Sequence, residues 1–568
     1  MFDLANNRLS YSELLHPDAG YSLDFAVGMT YSLDLEALLG VPVALGMLGE
    51  CESGSRNSPL YVLEAIRKSA DRIALFCNAG SIALPKRIIS VHSLLESSVF
   101  QVKAGKRSNF HPKIWVLKYS RAANDSYIRL LVMSRNLTFD SSIDIVASLQ
   151  GKIEEAACEK NRPLADMLRY VARFAEKKRQ QVEMLADAVL KVPHFETNHP
   201  FMDYDFYPIG IENHGKKELP MFGQKYNLFA VSPFLSDGIV RELTRFNGPR
   251  TLVTRKESVT QGIMDSFDHV YVTRDELSDN EYGAKQDIHA KMYYVTTNTY
   301  NSLYLGSANA SENAFARNIE CLLRLTYKPN CMGYISFSKD FIPDVNCPYE
   351  ELKGVPEPKE KNEREEKINE ALREAVYAVK SAIVRMEGDR YSVLVSSRPL
   401  KTAIRVLIVP LQRQETEMQQ LKEHNVFSGL LLKELSEFYV LCVEEKKIIV
   451  KIPTHGIPKD RDQAIYRSVI DSKSKFLNYL SFALADDPEE IINGFDEKVF
   501  AEAQNGESGN TLDNRVAVYE QLLRVFHRNP AKLKGIADMI KRLDPDVVGT
   551  DFMKMFKQFE IAGKKVHK

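Results

Sequence analysis

The strongest constraint on this chain is a short pattern that occurs twice: a histidine and a lysine, separated by one residue, at the start of an apolar run. The first copy is SNFHPKIWVLKYSR at 108–121, and the second is IHAKMYYVTT at 288–297. Side chains alternate along a strand, so each histidine shares a strand face with its lysine. A single pair could arise by chance in a chain with 12 histidines, whereas a duplicated pair indicates an internal repeat.

Matching segments surround the two pairs. After each pair, a polar turn and an apolar strand lead to a polar loop, SRNLT at 134–138 and GSANAS at 306–311. Each loop is followed by an acidic residue and another apolar strand, and each pair is preceded by a strand, a helix and a strand. The repeat predicts an α/β fold in which two pseudo-symmetric halves, residues 1–195 and 196–346, bring their HxK strands together.

Eight residues of this repeat resemble the motifs of the phospholipase D superfamily, whose members build one active site from two HxK motifs. The matching residues are His111, Lys113, Ser134 and Asn136 in the first half, and His289, Lys291, Ser307 and Asn309 in the second. The Asp that usually follows each HxK after four residues is replaced by Lys118 and Thr296. That departure is similar to tyrosyl-DNA phosphodiesterases and to metal-independent restriction endonucleases, so it does not argue against catalysis.

The resemblance implies a site that cleaves phosphodiesters without a metal or another cofactor. One neutral histidine attacks phosphorus to form a phosphohistidine, while the other gives a proton to the leaving oxygen and later takes one from water. Resemblance to the tyrosyl-DNA enzymes makes His111 the nucleophile and His289 the acid. The two lysines and two asparagines would stabilise the negative oxygens. Asp144 and Glu320 would orient the histidines, supported by the two serines.

Four residues near the first HxK motif are candidates for substrate binding. The basic loop at 103–107 carries Lys103, Lys106 and Arg107, which could contact a phosphate backbone, although a solvated turn has the same composition. Trp115 lies on the histidine face of its strand and could stack on a base, or it could belong to the core, which is the commoner role. The formal net charge of the chain is −1, so any site for a polyanion must be local.

Cysteine usage and hydropathy limit the cellular location. The 7 cysteines show no paired spacing, which disfavours a zinc site or a disulfide framework and is typical of a reducing, cytoplasmic environment. The sequence has no uncharged apolar run of about 18 residues and no export signal at its amino terminus. Neither a membrane span nor secretion is expected.

The rest of the chain predicts three further segments. Residues 347–386 combine a linker rich in proline and charge with a long helix, residues 387–460 form a small α+β domain, and residues 461–568 form a helical C-terminal domain. Candidate helices in the last segment include 515–527 and 531–543. Such appended regions commonly bind a partner or the substrate, or form a dimer surface.

Two classes of function fit these features. The first is a nuclease that acts on nucleic acid, with DNA favoured, as part of a prokaryotic restriction or anti-phage defence system. The second is a non-catalytic nucleic-acid-binding or assembly protein on the same fold, whose C-terminal half would recruit a helicase or another defence protein as partner. A lipid phosphodiesterase is a variant of the first class, but it would need an apolar interfacial surface that the sequence does not show.

Overall fold

The computed structural model describes residues 11–45, 59–122, 125–138, 144–274, 288–344, 347–357, 363–484 and 530–566, together with Leu522 and Val525. These residues form a mixed α/β structure whose strands lie in four sheets, which confirms the predicted α/β class. Apart from Leu522 and Val525, the candidate helix at 515–527 lies outside the described residues. No helix in the described ranges is long and apolar enough to cross a membrane.

The first sheet carries the first HxK motif. Its strands, in spatial order, are Val99–Val102, Ile73–Asn78, Ser22–Thr30, Ile114–Ala122, Asp125–Met133 and Val146–Lys152. The first three strands run parallel, and the strands from Ile114–Ala122 onward pair antiparallel. The strand after His111 is therefore a central strand of the sheet, where its apolar residues are buried on both faces.

The second sheet repeats this order around the second HxK motif. Its strands are Tyr349–Glu351, His269–Thr273, Arg250–Thr254, Asn227–Val231, Met292–Thr296, Asn301–Gly306, Glu320–Tyr327 and Asp203–Ile209. The inner six strands again comprise three parallel strands followed by antiparallel ones. In both sheets the HxK strand pairs antiparallel with an earlier strand of its own half, Ser22–Thr30 in the first and Asn227–Val231 in the second. A pseudo-two-fold axis between the halves stays a prediction.

Alternation along the first HxK strand separates two hydrophobic clusters. Ile114 and Val116 pack in a cluster that includes Met292 of the second sheet. Trp115 and Leu117 point to the opposite face. There they pack in a cluster that also includes residues after 370. We refer to the described residues from 363 onward as the C-terminal region. One face of the first sheet thus contacts the second sheet, and its other face contacts the C-terminal region.

The C-terminal region supplies the other two sheets. The third sheet has the order Thr454–His455, Val379–Glu387, Arg390–Ser397 and His424–Leu430. The fourth has the order Leu33–Asp34, Ile82–Ala83, Lys446–Lys451, Phe438–Val443, Leu407–Pro410 and Gln419–Gln420. Because two strands of the fourth sheet come from the first half, residues 387–460 do not complete their sheets alone.

The long helix predicted to continue to residue 386 ends earlier. It spans Glu363–Ala378 and is followed directly by the strand Val379–Glu387. This strand forms a hairpin with Arg390–Ser397, and Gly388 in the turn has a φ of +65°, which favours glycine. Pairing with the next strand therefore outweighs the helical spacing of the apolar residues.

The helices cover the sheets and connect the strands. The α-helices are Tyr11–Leu15, Leu35–Ala44, Pro59–Ser69, Arg162–Ala172, Arg179–Leu190, Asp237–Leu243, Gln261–Met264, Glu312–Ala316, Tyr334–Phe341, Glu363–Ala378, Arg461–Val469, Lys473–Leu484, Pro530–Ile540, Pro545–Val548 and Thr550–Val566. The last five lie in the segment 461–568, for which the sequence predicts helices. Short 3₁₀ turns are Ser90–Ser97, Glu159–Asn161, Glu176–Lys178, Lys216–Glu218, Pro220–Phe222, Lys256–Ser258, Glu415–Glu417 and Leu432–Glu434.

Candidate active site

Backbone pairing between the two halves places the first HxK motif. Phe110 and Ile319 form an isolated parallel bridge. The N–H of His111 donates to the carbonyl oxygen of Ile319 at 2.9 Å, and the N–H of Ile319 donates to the carbonyl oxygen of Asn109 at 2.9 Å. The residue before His111 is thus joined to the residue before Glu320, and the side chains that follow are brought together.

The imidazole of His111 contacts the carboxylate of Glu320. His111 Nδ1 lies 2.8 Å from Glu320 Oε2, and the Glu320 side chain is 0% exposed. The same carboxylate accepts hydrogen bonds from Ser307 Oγ at 2.5 Å and from Asn318 Nδ2 at 3.1 Å. With the carboxylate as acceptor, Nδ1 carries the proton and Nε2 keeps its lone pair. An acid of the second half therefore orients the histidine of the first half.

The surroundings of His111 favour its neutral form. Burial lowers the pKa of His111 below its ordinary value of 6.5, and the charges of Lys113 and Lys291 lower it further, while Glu320 opposes them. The imidazole side chain is 16% exposed, so one edge still reaches solvent. A neutral histidine with one oriented nitrogen and one free lone pair has the form that a nucleophile requires.

The two motif lysines are buried in this site. Lys113 is 2% exposed and Lys291 is 4% exposed. Lys113 Nζ donates to the carbonyl oxygen of His111 at 2.9 Å, and Lys291 Nζ donates to that of His289. Burial and the charge of Lys291 hold the pKa of Lys113 well below the usual range, against the attraction of Glu320 and Asp144. These mutual effects place the lysines and carboxylates of both halves in one site.

The two motif serines make the same contacts in both halves. Ser134 Oγ donates to Asp144 Oδ1 at 3.0 Å and accepts from the N–H of the next residue, Ile145, at 2.9 Å. Ser307 Oγ donates to Glu320 Oε2 at 2.5 Å and accepts from the N–H of the residue after Glu320 at 3.0 Å. Each serine thus fixes the carboxylate of its own half and the strand that follows it.

The motif asparagines present amides with unused hydrogen-bonding capacity. Among the described residues, the buried Oδ1 atoms of Asn136 and Asn309 have no hydrogen-bond partner. A buried polar atom without a partner costs about 1–3 kcal/mol. Because the two ends of an amide exchange by a flip, either side chain can turn its NH₂ group toward an anion. Both amides are therefore suited to bind a ligand.

His289 lies at the corresponding position of the second half, between buried Ile288 and Ala290. Its carbonyl oxygen accepts from Lys291, the lysine whose charge acts on His111. Ile288 and Ala290 pack in the same hydrophobic cluster as Phe110 and Ile114, so the second motif lies beside the first. Within the described ranges, no group of three or more His, Cys, Asp or Glu side chains could hold a metal ion.

Four other residues support the site and were missed in the sequence. Thr30 is the last residue of the strand Ser22–Thr30 and Ser232 directly follows the strand Asn227–Val231. Each hydroxyl accepts from the backbone of the asparagine loop of its half, at 3.0 Å and 2.9 Å. Their equivalent places in the repeat could have identified them. Asn318 donates to Glu320 and accepts from Asn109 N–H at 3.1 Å, and the ring of Tyr31 lies 5.1 Å from that of His111.

The predicted substrate-binding residues divide into two groups. Trp115 is 1% exposed and packs in the core, where it would lie only 2.7 Å from a Cβ atom at Gly28. Of the two roles that the sequence leaves open for Trp115, burial therefore favours the core over stacking on a base. Lys103, Lys106 and Arg107 are exposed and precede His111 by four to eight positions.

No family model and no curated protein matches this chain. Yeast tyrosyl-DNA phosphodiesterase matches at 11% identity with a TM-score of 0.34, over 55% of this chain and 84% of that one. Nuc from Salmonella typhimurium, a phospholipase D family member, matches at 14% identity with a TM-score of 0.20, over 27% and 99% of the chains. NucT from Helicobacter pylori matches at 19% identity with a TM-score of 0.15, over 18% and 71%.

The site itself is built from both copies of the repeat. Each half contributes one HxK motif and one serine–carboxylate pair. The contact between His111 and Glu320 joins the two halves. In these features the chain resembles the phospholipase D superfamily, as its sequence predicts.

Proposed function

We propose that this protein is a metal-independent phosphodiesterase that cleaves nucleic acid through a phosphohistidine intermediate. The observation that carries the proposal is the contact between His111 Nδ1 and Glu320 Oε2 at 2.8 Å. It leaves Nε2 as the reactive nitrogen of an imidazole whose pKa is lowered by burial. The roles of the two histidines rest on this contact and on the resemblance described above.

In the first step, His111 Nε2 attacks phosphorus. A nitrogen–phosphorus bond forms while the bond from phosphorus to the leaving oxygen breaks, and His289 in its protonated form gives its proton to that oxygen. In the second step, His289 takes a proton from water as the water oxygen attacks phosphorus. The nitrogen–phosphorus bond then breaks and His111 returns to its neutral state.

Buried cations favour the charge that develops on phosphorus. Lys113 and Lys291 provide positive charge in a site with little water, where electrostatic stabilisation is stronger than in bulk solvent. The amides of Asn136 and Asn309 add hydrogen-bond donors. Asp144 orients His289 as Glu320 orients His111. Ser134 donates to Asp144 in the same way that Ser307 donates to Glu320.

The exposed basic loop beside His111 supports nucleic acid as the substrate, with DNA favoured. Resemblance to restriction endonucleases supports a place in a prokaryotic restriction or anti-phage defence system. The same proposal includes a helicase or another defence protein as partner. It also includes a cytoplasmic location and a dimer. In this view the C-terminal region acts in recruiting the partner.

The proposal is tested by cleavage of labelled single- and double-stranded DNA in excess EDTA. Wild-type protein is expected to cut, and His111→Ala and His289→Ala are expected to abolish cutting. His269→Ala is a matched control, because His269 Nδ1 also lies 2.7 Å from a carboxylate, that of Glu351, but at the surface. Cutting that requires a metal, or that survives both active-site changes, would contradict the proposed mechanism.

A second experiment separates the roles of the two histidines. Protein quenched with alkali during turnover of DNA is digested with protease and nuclease and analysed by mass spectrometry for a histidine that carries a nucleotide through a nitrogen–phosphorus bond, which is stable in alkali and lost in acid. The adduct is expected on the peptide that contains His111. An adduct on the peptide that contains His289 would exchange the two roles.

A further inference from the structure

Four exposed cations gather beside the first HxK motif. Three belong to the basic loop, Lys103, Lys106 and Arg107, and the fourth, Arg398, comes from the C-terminal region. In the described part of the chain, no carboxylate lies within ion-pair distance of any of them. We refer to these four residues as the basic surface.

The helix Glu363–Ala378, the first of the C-terminal region, binds the basic loop. The hydroxyl of Tyr377 donates to the carbonyl oxygen of Gly105 at 2.7 Å and accepts from its N–H at 3.2 Å. Arg373 Nη2 donates to the carbonyl oxygen of Ser108 at 2.7 Å and to Asn109 Oδ1 at 3.1 Å. The loop is therefore bound by side chains at its middle and directly after its end.

Arg398 lies at the same place because of the fold of the C-terminal region. Its N–H donates to the carbonyl oxygen of Ala378 at 3.0 Å, directly after Tyr377. Lys103 Nζ lies 5.9 Å from the centre of the Tyr377 ring. Desolvation and the positive charge of Arg398 lower the pKa of Lys103. Like charges held close together without counter-charges cost free energy, which a bound polyanion would recover.

The basic surface lies within reach of a strand bound at the reactive histidine. Arg107 precedes His111 by four residues, so the chain separates the two Cα atoms by at most about 14 Å. A strand of a few nucleotides bound at His111 therefore extends to Arg107.

We infer that Lys103, Lys106, Arg107 and Arg398 bind successive phosphates of a nucleic-acid strand whose scissile phosphate lies at His111. The C-terminal region is then part of the substrate-binding surface and positions the basic loop through Arg373 and Tyr377. This inference rests on the proposed function for the location of the cleaved bond. Binding of the strand itself can be tested without cleavage.

The test compares wild-type protein with Arg398→Gln and with the matched control Arg385→Gln. Arg385 is also an exposed arginine of the C-terminal region, and it lies six residues along its strand from Val379, which pairs with Ser397. That separation is about 20 Å. Binding of labelled single-stranded oligonucleotides of 6 and of 20 nucleotides is measured from about 50 to 300 mM salt.

The logarithm of the binding constant falls linearly with the logarithm of the salt concentration, and loss of one phosphate contact on a single strand makes this slope shallower by about 0.7. Arg398→Gln is therefore expected to weaken binding of the 20-mer about five-fold at about 0.1 M salt, with a smaller slope. The 6-mer is expected to lose less affinity, and Arg385→Gln is expected to match wild type. Equal affinities and slopes for Arg398→Gln and Arg385→Gln would overturn the inference.

Hydrolysis of bis(p-nitrophenyl) phosphate separates this inference from the proposed function. Arg398→Gln is expected to hydrolyse this small diester as wild type does, while KM for the 20-mer rises and kcat is unchanged. If wild type does not hydrolyse the small diester but Arg398→Gln still weakens strand binding, the basic surface stands and the proposed chemistry fails. If Arg398 affects binding to phosphatidylserine vesicles and not to the 20-mer, the surface binds a membrane and the inference is wrong.

Discussion

Replacing Glu320 with glutamine perturbs the contact on which the proposed mechanism depends. The substitution keeps the size of the side chain but removes its negative charge. Glu320 is fully buried, contacts His111 and accepts from Ser307 and Asn318. We expect Glu320→Gln to lower the rate of phosphodiester cleavage and, at the same time, to lower the pKa of His111.

The magnitude follows from the geometry. An imidazolium and a carboxylate 2.8 Å apart attract each other by about 1.5 kcal/mol in the dielectric of water, and by more in a buried site. Glu320 raises the pKa of His111 against burial and two lysines, so its neutralisation lowers that pKa. The acid limb of kcat/KM then moves to lower pH, because His111 stays neutral further into acid. The rate still falls, about 10³-fold or more, because a glutamine NH₂ can hold Nδ1 as an acceptor and impose the wrong tautomer.

The assay is the pH dependence of kcat/KM with bis(p-nitrophenyl) phosphate, alongside an NMR titration of the His111 imidazole that needs no turnover. Glu351→Gln is the control, since Glu351 contacts His269 at the surface. Circular dichroism establishes that each variant is folded. An unchanged or raised pKa of His111 in folded Glu320→Gln would refute the electrostatic reasoning. A purely structural role of Glu320 would lower kcat/KM at every pH without lowering the pKa of His111.

Three further substitutions test the surroundings of this contact. Lys113→Met is expected to move the acid limb to higher pH, since Lys113 lowers the pKa of His111, and the pH profile of kcat/KM checks this. Ser307→Ala removes a donor to buried Glu320 and is expected to lower the free energy of unfolding by about 1–3 kcal/mol, as measured by urea denaturation. Gly28→Ala places a Cβ 2.6 Å from a buried side-chain atom and is expected to cost about 1–3 kcal/mol in the same assay; an unchanged midpoint would contradict either value.

The α/β class and the HxK strands could be predicted because their signals are local. The continuous apolar run from Ile114 to Leu117 predicts a strand, and the alternation of side chains along it places His111 and Lys113 on one face. Duplication made the signal specific, since two weak motifs at matching places are much less frequent than one. The four matched residue types of each half were therefore visible before any contact was known.

Features that depend on distant pairing could not be predicted. Apolar residues at Val379, Ala382 and Met386 keep a spacing of three and four residues, which favours a helix, yet pairing with Arg390–Ser397 makes this segment a strand. The same holds for Leu33–Asp34, which joins a sheet formed mainly by residues after 400. The burial of Trp115 also depends on a distant contact, because its face of the sheet is covered by the C-terminal region.

The contact between His111 and Glu320 joins the two halves, so the site can form only when both halves are in place. Each half places its serine against its own carboxylate, but the carboxylate of the second half orients the histidine of the first. The contact between His111 and Glu320 therefore needs both halves, and the bridge between Phe110 and Ile319 joins the two segments that carry it. Since the buried lysines of both halves act on the same imidazole, the docking of the halves also sets its pKa. Assembly of the fold and activation of the proposed nucleophile are thus one event.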